Sequence, residues 1–305
     1  MNLILSQHLQ PVLMRWGMSN TLMAFDFDGT LAPIVDDPAN ARLPVATWQS
    51  LDELAQLADV AVVSGRSCSS LSARLPASVR WQVGNHGNEG LPWHAGDAAA
   101  QSRVCLLWQR QIEEALMRHP AMKGVHIENK GMTLAVHHRH CADPVQAEVW
   151  LRRLLGSLQP APQLIPGILV TNVLPPRAHT KLEALQELQG HLGSAHVLFV
   201  GDDVTDELAF AQAPASWLTI KVGLGEATRA SYRVRHPADV CSLIQRLVQI
   251  RHQAQRRINR LQGRTGGGGS KGGAAVVGNG MTGGVGGGFG RDVEDAQPRQ
   301  GNRVL

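Results

Sequence analysis

Acidic side chains crowd two short stretches of this chain. Asp26 and Asp28 stand one residue apart in Phe25-Asp26-Phe27-Asp28-Gly29-Thr30-Leu31, and Asp202, Asp203, Asp206 and Glu207 fill four of six successive positions. Carboxylates this close repel as free anions, and a proton or a divalent cation relieves the repulsion. Hard oxygen ligands with room for waters suit Mg²⁺. Either run could be only a solvated acidic turn. Lys181 follows Thr180 at the start of an apolar-periodic stretch, where its charge opposes the helix dipole unless an anion lies nearby. Ser64 precedes Gly65-Arg66 and can offer its hydroxyl to a phosphate oxygen beside backbone N–H groups; an ordinary helix cap is the plainer reading. Gly84-Asn85-His86-Gly87-Asn88-Glu89-Gly90 makes a tight loop carrying a His and a Glu.

These groups share a placement. Residues 21–24, 60–63 and 197–200 are short apolar runs that read as buried parallel strands, and each delivers one of the polar clusters at its end. Residues 80–83 form a further short strand before the glycine loop. In an open α/β sheet, ligands bind at the carboxyl edge of the strands. A leading amphipathic helix lies within residues 1–20 and another helix spans 45–58. A helix opens at 180–182, and 216–222 reads as a strand leading to Gly223-Leu224-Gly225.

Between the strand clusters the order changes. A long helix is expected over 98–118, strands over 124–128 and 132–138, a helix over 144–158, and strand over 163–173 with Pro166-Gly167 as a turn. This α-β-β-α-β-β order reads as an α+β cap, residues 94–174, inserted between two halves of a parallel-sheet core at 1–93 and 175–262. The cap carries Glu128-Asn129-Lys130-Gly131 and His137-His138-Arg139, types that suit sugar hydroxyls and a phosphate.

The run D-F-D-G-T-L-A-P resembles the first motif of the haloacid-dehalogenase-type phosphohydrolases. That resemblance implies an α/β Rossmann-like core with Asp26 attacking phosphorus and Asp28 as general acid/base. It makes Ser64 the second motif, Lys181 the third, and G-D-D-x-T-D-E the fourth. Mg²⁺ would then be held by Asp26, Asp202 and the backbone carbonyl of Asp28, with Asp203 or Asp206 acting through water or holding Lys181. The loop G-x-H-G-x-E and the cap's E-x-K-G and H-x-R resemble the trehalose-6-phosphate phosphatases in particular. The implied substrate contacts are Gly29, Thr30, Arg66, His86, Glu89, Glu128, Lys130 and Arg139. Two departures stand out. Alignment places Val173 where that family carries a Glu, with Asn172 next to it as a substitute, and Leu182 replaces a Gly after the motif Lys. The implied activity is Mg²⁺-dependent hydrolysis of trehalose 6-phosphate, coupled to a trehalose-6-phosphate synthase. A related sugar phosphate such as sucrose phosphate or a hexose phosphate is the alternative substrate. A non-catalytic sugar-phosphate sensor is the alternative of another class, and a full set of Asp26, Asp28, Lys181 and Asp202 argues against it.

The 305 residues suffice for a full core, and 43% hydrophobic content with 4% aromatics suits an ordinary α/β protein. No window approaches the length of a membrane span, and residues 1–20 lack the basic start of a signal peptide. Cys68, Cys105, Cys141 and Cys241 are widely spaced, which suits a reducing cytoplasm. Residues 1–245 carry 19 basic and 22 acidic side chains, whereas 246–305 carry 10 and 3. The basic end, with Arg251, Arg256, Arg257, Arg260 and Arg264, reads as the solvated face of a last helix, since no aromatics interleave to stack on nucleic acid. Residues 263–305 hold 16 of 32 glycines and are expected to be disordered. The G-x-G-x-x-G at 278–283 lies in that glycine-rich stretch and is discounted.

Overall fold

The computed structural model describes residues 2–93, 98–225 and 227–265, with side chains up to 260. The expected disorder beyond 265 and the G-x-G-x-x-G stretch lie outside the described residues. Ten strands and eight α-helices are described. In chain order they are α1 Gln10–Met18, β1 Thr21–Phe25, α2 Val45–Leu57, β2 Val60–Val63, α3 Cys68–Ser72, β3 Trp81–Val83, α4 Ala98–Met117, β4 His126–Asn129 and β5 Leu134–His137. There follow α5 Pro144–Gly156, β6 Gln163–Gly167, β7 Val170–Leu174, α6 Lys181–Leu192, β8 His196–Gly201, α7 Val204–Gln212, β9 Trp217–Val222, β10 Tyr232–Val234 and α8 Pro237–Thr265.

Six strands form a parallel sheet in the order β10-β9-β8-β1-β2-β3. All five residues of β1 are buried because helices cover both faces. Met23 and Phe25 point to one side, with Leu51, Leu54, Leu243 and Leu247. Leu22 and Ala24 point to the other, with Leu185 and Leu188. The chain leaves β1 for β2 on one side and returns later as β8 on the other. The crevice between their carboxyl ends is the point at which such sheets bind ligands.

The insertion is a second sheet, antiparallel, in the order β4-β5-β7-β6. Its back face packs Leu134, Val136 and Val173 against Trp108, Ile112 and Leu151 of α4 and α5. Three expectations need correction. Pro166 and Gly167 end β6 instead of forming the turn, which falls at 168–169; β6 is an edge strand, where a missing proline N–H is tolerated. The last helix continues to Thr265, past the expected start of the tail at 263. Val173 is fully buried in the cap interior. Its neighbour Asn172 pairs with Ala135 and Ile165 and so shares the opposite face of the sheet.

Candidate active site

Asp26 sits just beyond β1, with its N–H donated to the Val200 carbonyl at 2.9 Å, so the tips of β1 and β8 are level. Gly29 turns the chain away with φ +78°, and a Cβ there would lie 2.1 Å from Asp202 Oδ2. Both the backbone angle and the space demand glycine. Thr30 Oγ1 donates to Asp202 Oδ1 at 3.0 Å, tying the β1 loop to the β8 tip.

Lys181 enters from α6. Thr180 caps that helix, accepting from the Glu183 N–H while Glu183 accepts from the Thr180 N–H. The cap leaves Lys181 as the first helical residue, its side chain 1% exposed. Nζ donates to Asp26 Oδ1 at 3.0 Å and to Asp206 Oδ1 at 2.8 Å. Burial alone would lower its pKa, but the carboxylates of Asp203, Asp206 and Asp26 outweigh that and hold it well above the usual lysine value. Asp206 uses its other oxygen to accept the N–H groups of Asp202 and Asp203 at 2.9 and 3.0 Å. Asp203 caps α7, accepting from the Asp206 N–H and the Thr205 hydroxyl. Lys221 Nζ donates to the Asp202 carbonyl.

Asp26, Asp202 and Asp206 each bring a carboxylate oxygen within 4.8 Å of the others, an arrangement that could hold a metal ion. Burial, together with the neighbouring Asp206 and Asp203, pushes Asp202 up to about 7. Burial raises Asp26 well above the usual carboxylate range despite Lys181. Both acids thus gain from added positive charge, and hard carboxylate oxygens fit a divalent cation. Lys181 takes one oxygen of Asp26 and Thr30 takes one of Asp202, so each acid retains a second. Asp206 has both oxygens engaged and serves to hold Lys181. Asp203 lies outside the triad.

Ser64 is buried at the end of β2, and its Oγ accepts the Arg66 N–H at 3.3 Å. It is not the helix cap; Ser67 caps α3. Arg66 grips Asp28, Nε and Nη2 each 2.7 Å from a carboxylate oxygen. His86 adopts φ +61° in the glycine loop and lies against Gly65, where a Cβ would come within 2.5 Å of its ring. The Asn172 side chain of the cap is the polar group beside the His86 ring, although neither ring nitrogen makes a well-aligned hydrogen bond among the described residues. Burial first, then the charges of Lys130 and Lys181, push its pKa down to about 3, so the ring is neutral. Glu89 is taken up inside the loop, accepting from the Cys68 N–H at 2.8 Å and the Asn85 amide at 2.7 Å.

The cap sheet faces this edge. Glu128, Ala135, Asn172 and Ile165 stand in one row across it. A cavity of about 100 Å³ between cap and core is lined by Ile165, Gln163 and Leu174 on one side and by Lys181, His86 and Leu182 on the other. Leu182 therefore forms part of the cavity wall. Glu128 bonds the His137 ring at 3.2 Å, a contact that with the nearby Lys130 holds its carboxyl below the usual range. Lys130 Nζ donates to the Gly65 carbonyl at 3.0 Å. Arg139 donates to the Asp36 carbonyl at 2.6 Å.

The structure thus gathers Asp26, Lys181, Asp202, Asp206, Thr30 and Ser64 at one edge and gives Glu89 and Arg139 other partners. Asn85 escaped sequence reasoning. It takes the Thr133 hydroxyl at 2.6 Å and donates to the Lys130 carbonyl at 3.3 Å, joining loop to cap. Its position between glycines in a left-handed turn, which asparagine tolerates, was the available signal.

A parallel α/β core with an aspartate pair beyond its central strand, a buried lysine and an inserted cap defines an α/β fold of the haloacid-dehalogenase type. A protein-family model described as trehalose-phosphatase matches residues 24–237. The trehalose-phosphate phosphatase of Mycobacterium tuberculosis is 31% identical over 269 residues, spanning 82% of this chain and 68% of that protein. The chain belongs to the trehalose-phosphatase family, and it is a phosphatase. In fold it is similar to a crystal structure of a trehalose-6-phosphate phosphatase related protein, with TM-score 0.63 and 23% identity over 76% of this chain and 99% of that one. The C-terminal domain of the Candida albicans trehalose-6-phosphate phosphatase gives 0.61 and 22%, over 78% and 96%. Among the described residues no helix is long and apolar enough to cross a membrane, and all four cysteines are free.

Proposed function

We propose that the protein hydrolyses trehalose 6-phosphate to trehalose and phosphate in the cytoplasm, acting on the product of a trehalose-6-phosphate synthase. The observation that carries this reading is Lys181, fully buried, bonded at once to Asp26 and Asp206 and lining the cavity shared with Gln163 and Ile165 of the cap. In a family of phosphatases, so expensive a buried charge is best explained by an anionic reaction centre beside it.

The chain's own groups divide the work. An oxygen of Asp26 attacks phosphorus, the bond from phosphorus to the sugar oxygen breaks, and Asp28 protonates the leaving alkoxide. Water then attacks phosphorus of the aspartyl-phosphate and gives its proton to Asp28, and the bond to Asp26 breaks. Lys181 and the Ser64 hydroxyl bind phosphoryl oxygens. Asp26 and Asp202 would hold a divalent ion, Mg²⁺ by donor type, which when bound neutralises phosphate charge. His86, Glu128, Lys130 and Asn172 would face the sugar, and the cap excludes water.

Phosphate release in the presence of Mg²⁺ from trehalose 6-phosphate, sucrose 6-phosphate, glucose 6-phosphate and p-nitrophenyl phosphate tests the reading. Strong preference for trehalose 6-phosphate is expected. Preference for another ester would replace the substrate and leave the chemistry. Tight binding of the sugar phosphate without release from any ester would favour the sensor.

A further inference from the structure

A second lysine is buried at this edge. β9 is buried along its whole length, yet it carries Lys221, 3% exposed, in register with Gly201 at the end of β8. Its Nζ donates to the Asp202 carbonyl and lies 3.6 Å from Glu207 Oε1. The chemistry proposed above makes no use of it. An ammonium on a strand covered on both faces costs desolvation that an apolar residue would avoid, so its role lies in what it holds.

Lys221 holds the last loose point of Asp202. The N–H of that aspartate goes to Asp206 Oδ2, and its Oδ1 takes the Thr30 hydroxyl. Asp202 lies just past the end of β8. Its carbonyl needs a donor once the ladder has ended, and Lys221 supplies one. Both main-chain groups and one carboxylate oxygen are then engaged, which leaves the other oxygen for a cation beside Asp26. The two lysines are held by neighbouring residues of α7. Asp206 bonds Lys181, and Glu207 faces Lys221. Successive residues of a helix point about 100° apart, so α7 presents one acid to each lysine. Glu207 is fixed in its turn, accepting the Thr228 hydroxyl at 2.6 Å and the Arg229 N–H at 2.9 Å.

We propose that Lys221 is a positioning residue for Asp202, kept in place by Glu207, and that it sets the affinity of the acidic triad for a divalent cation. The inference rests on the reading of Asp26 and Asp202 as cation ligands. Lys221 acts through the main chain of Asp202 and not on the substrate. Partners that orient a metal ligand carry about 10–100-fold of metal affinity. Orientation and charge pull in opposite directions here. A positive charge near the triad repels a cation, so loss of Lys221 would tighten binding if charge were its whole contribution. Loss of orientation weakens binding.

Mn²⁺ binding to the full chain without substrate, followed by electron paramagnetic resonance, separates the two. Lys221→Met should weaken Mn²⁺ binding by about 10-fold or more, and Lys221→Arg, which keeps a charged donor, should recover part of the loss. The double substitution Lys221→Met with Glu207→Gln removes one charge of each sign, so a pure charge effect cancels. It should still bind Mn²⁺ more weakly than wild type by about 10-fold. The double variant leaves no unpaired charge at this point and decides the matter if urea unfolding shows that Lys221→Met alone has lost its fold. The Mg²⁺ concentration that half-activates phosphate release should rise by the same factor, with KM for the ester at saturating Mg²⁺ unchanged. Mn²⁺ affinity that rises or stays constant in folded Lys221→Met, or that equals wild type in the double variant, would overturn the proposal. A wild type that binds no Mn²⁺ would remove the cation reading and this inference with it. A wild type that binds Mn²⁺ but prefers another phosphate ester would refute the substrate and leave this inference standing.

Discussion

The carboxyl edge of the parallel sheet and the face of the cap sheet opposite it are built in different ways. At the core edge the charges are buried and interlocked. Lys181 joins Asp26 to Asp206, Asp206 holds the N–H groups of Asp202 and Asp203, and Thr30 ties Asp202 to the first loop. On the cap, Glu128 is exposed and Lys130 and Asn172 are partly exposed. The cap also reaches the core through bonds to backbone carbonyls, Lys130 on Gly65 and Arg139 on Asp36, and through Asn85, which takes the Thr133 hydroxyl and donates to the Lys130 carbonyl. The difference suits a division of labour. Charge stabilisation during phosphoryl transfer needs dipoles fixed beforehand, whereas recognition under a closing cap needs contacts that form and release.

Substitutions on the two sides should therefore fail differently. The largest effect is expected for Asp26→Asn, with turnover reduced by about 10³-fold or more and an unchanged circular dichroism spectrum; retained turnover would remove Asp26 as nucleophile. Lys181→Met strips the partner from two buried carboxylates. It should lower stability by about 3–5 kcal/mol and activity by at least about 10²-fold, read by urea unfolding and phosphate release.

A smaller pair sharpens the contrast within one strand. Asn172→Ala removes a cleft-facing amide and should raise KM by about 10-fold, the value of one hydrogen bond of about 1 kcal/mol or somewhat more, at constant kcat. Val173→Ala, its buried neighbour, should weaken the fold by about 1–3 kcal/mol with KM unchanged. The reverse pattern would show that the strand register has been misread.

The smallest effect concerns acid. His86 is neutral in the fold, with its pKa pushed down to about 3, whereas an unfolded histidine titrates near about 6.5. Its contribution is fully present above about 6.5. As pH falls from there towards 3 the unfolded chain takes a proton that the fold refuses, and stability declines by up to about 1.4 kcal/mol per unit. At pH 5 the loss is about 2 kcal/mol. His86→Asn keeps a residue that accepts the left-handed backbone and should flatten the fall in stability between pH 7 and 5. Parallel curves for both proteins would assign the acid sensitivity elsewhere.

The core was readable from sequence because parallel strands buried on both faces appear as unbroken apolar runs, and β1, β2 and β8 end at the polar clusters. The cap's element order was readable for the same kind of reason, from helical and strand periodicity. β10 was not: its three residues, Tyr232, Arg233 and Val234, include a buried arginine and offer no apolar run. The roles of Asn172 and Val173 could not be separated either. Adjacent strand residues face opposite ways, and only the pairing with Ile165, which lines the cavity, tells which way is the cleft. The T-x-x-E box before Lys181 and the D-x-x-D box at Asp203 are capping patterns visible in the sequence. The second was masked by the competing metal reading of the same acids. The partners of Arg66 and Arg139 depend on loop paths that no local pattern encodes.

The most direct test of the division between a fixed chemical edge and a recognising cap is to trap the reaction at Asp26. Enzyme mixed with a limiting amount of trehalose 6-phosphate and Mg²⁺, quenched in acid within one turnover and digested, should yield a phosphoryl adduct by mass spectrometry on the peptide containing Asp26. The adduct should be absent from Asp26→Asn. Turnover with no adduct at Asp26, or an adduct on a side chain of the cap, would contradict the account.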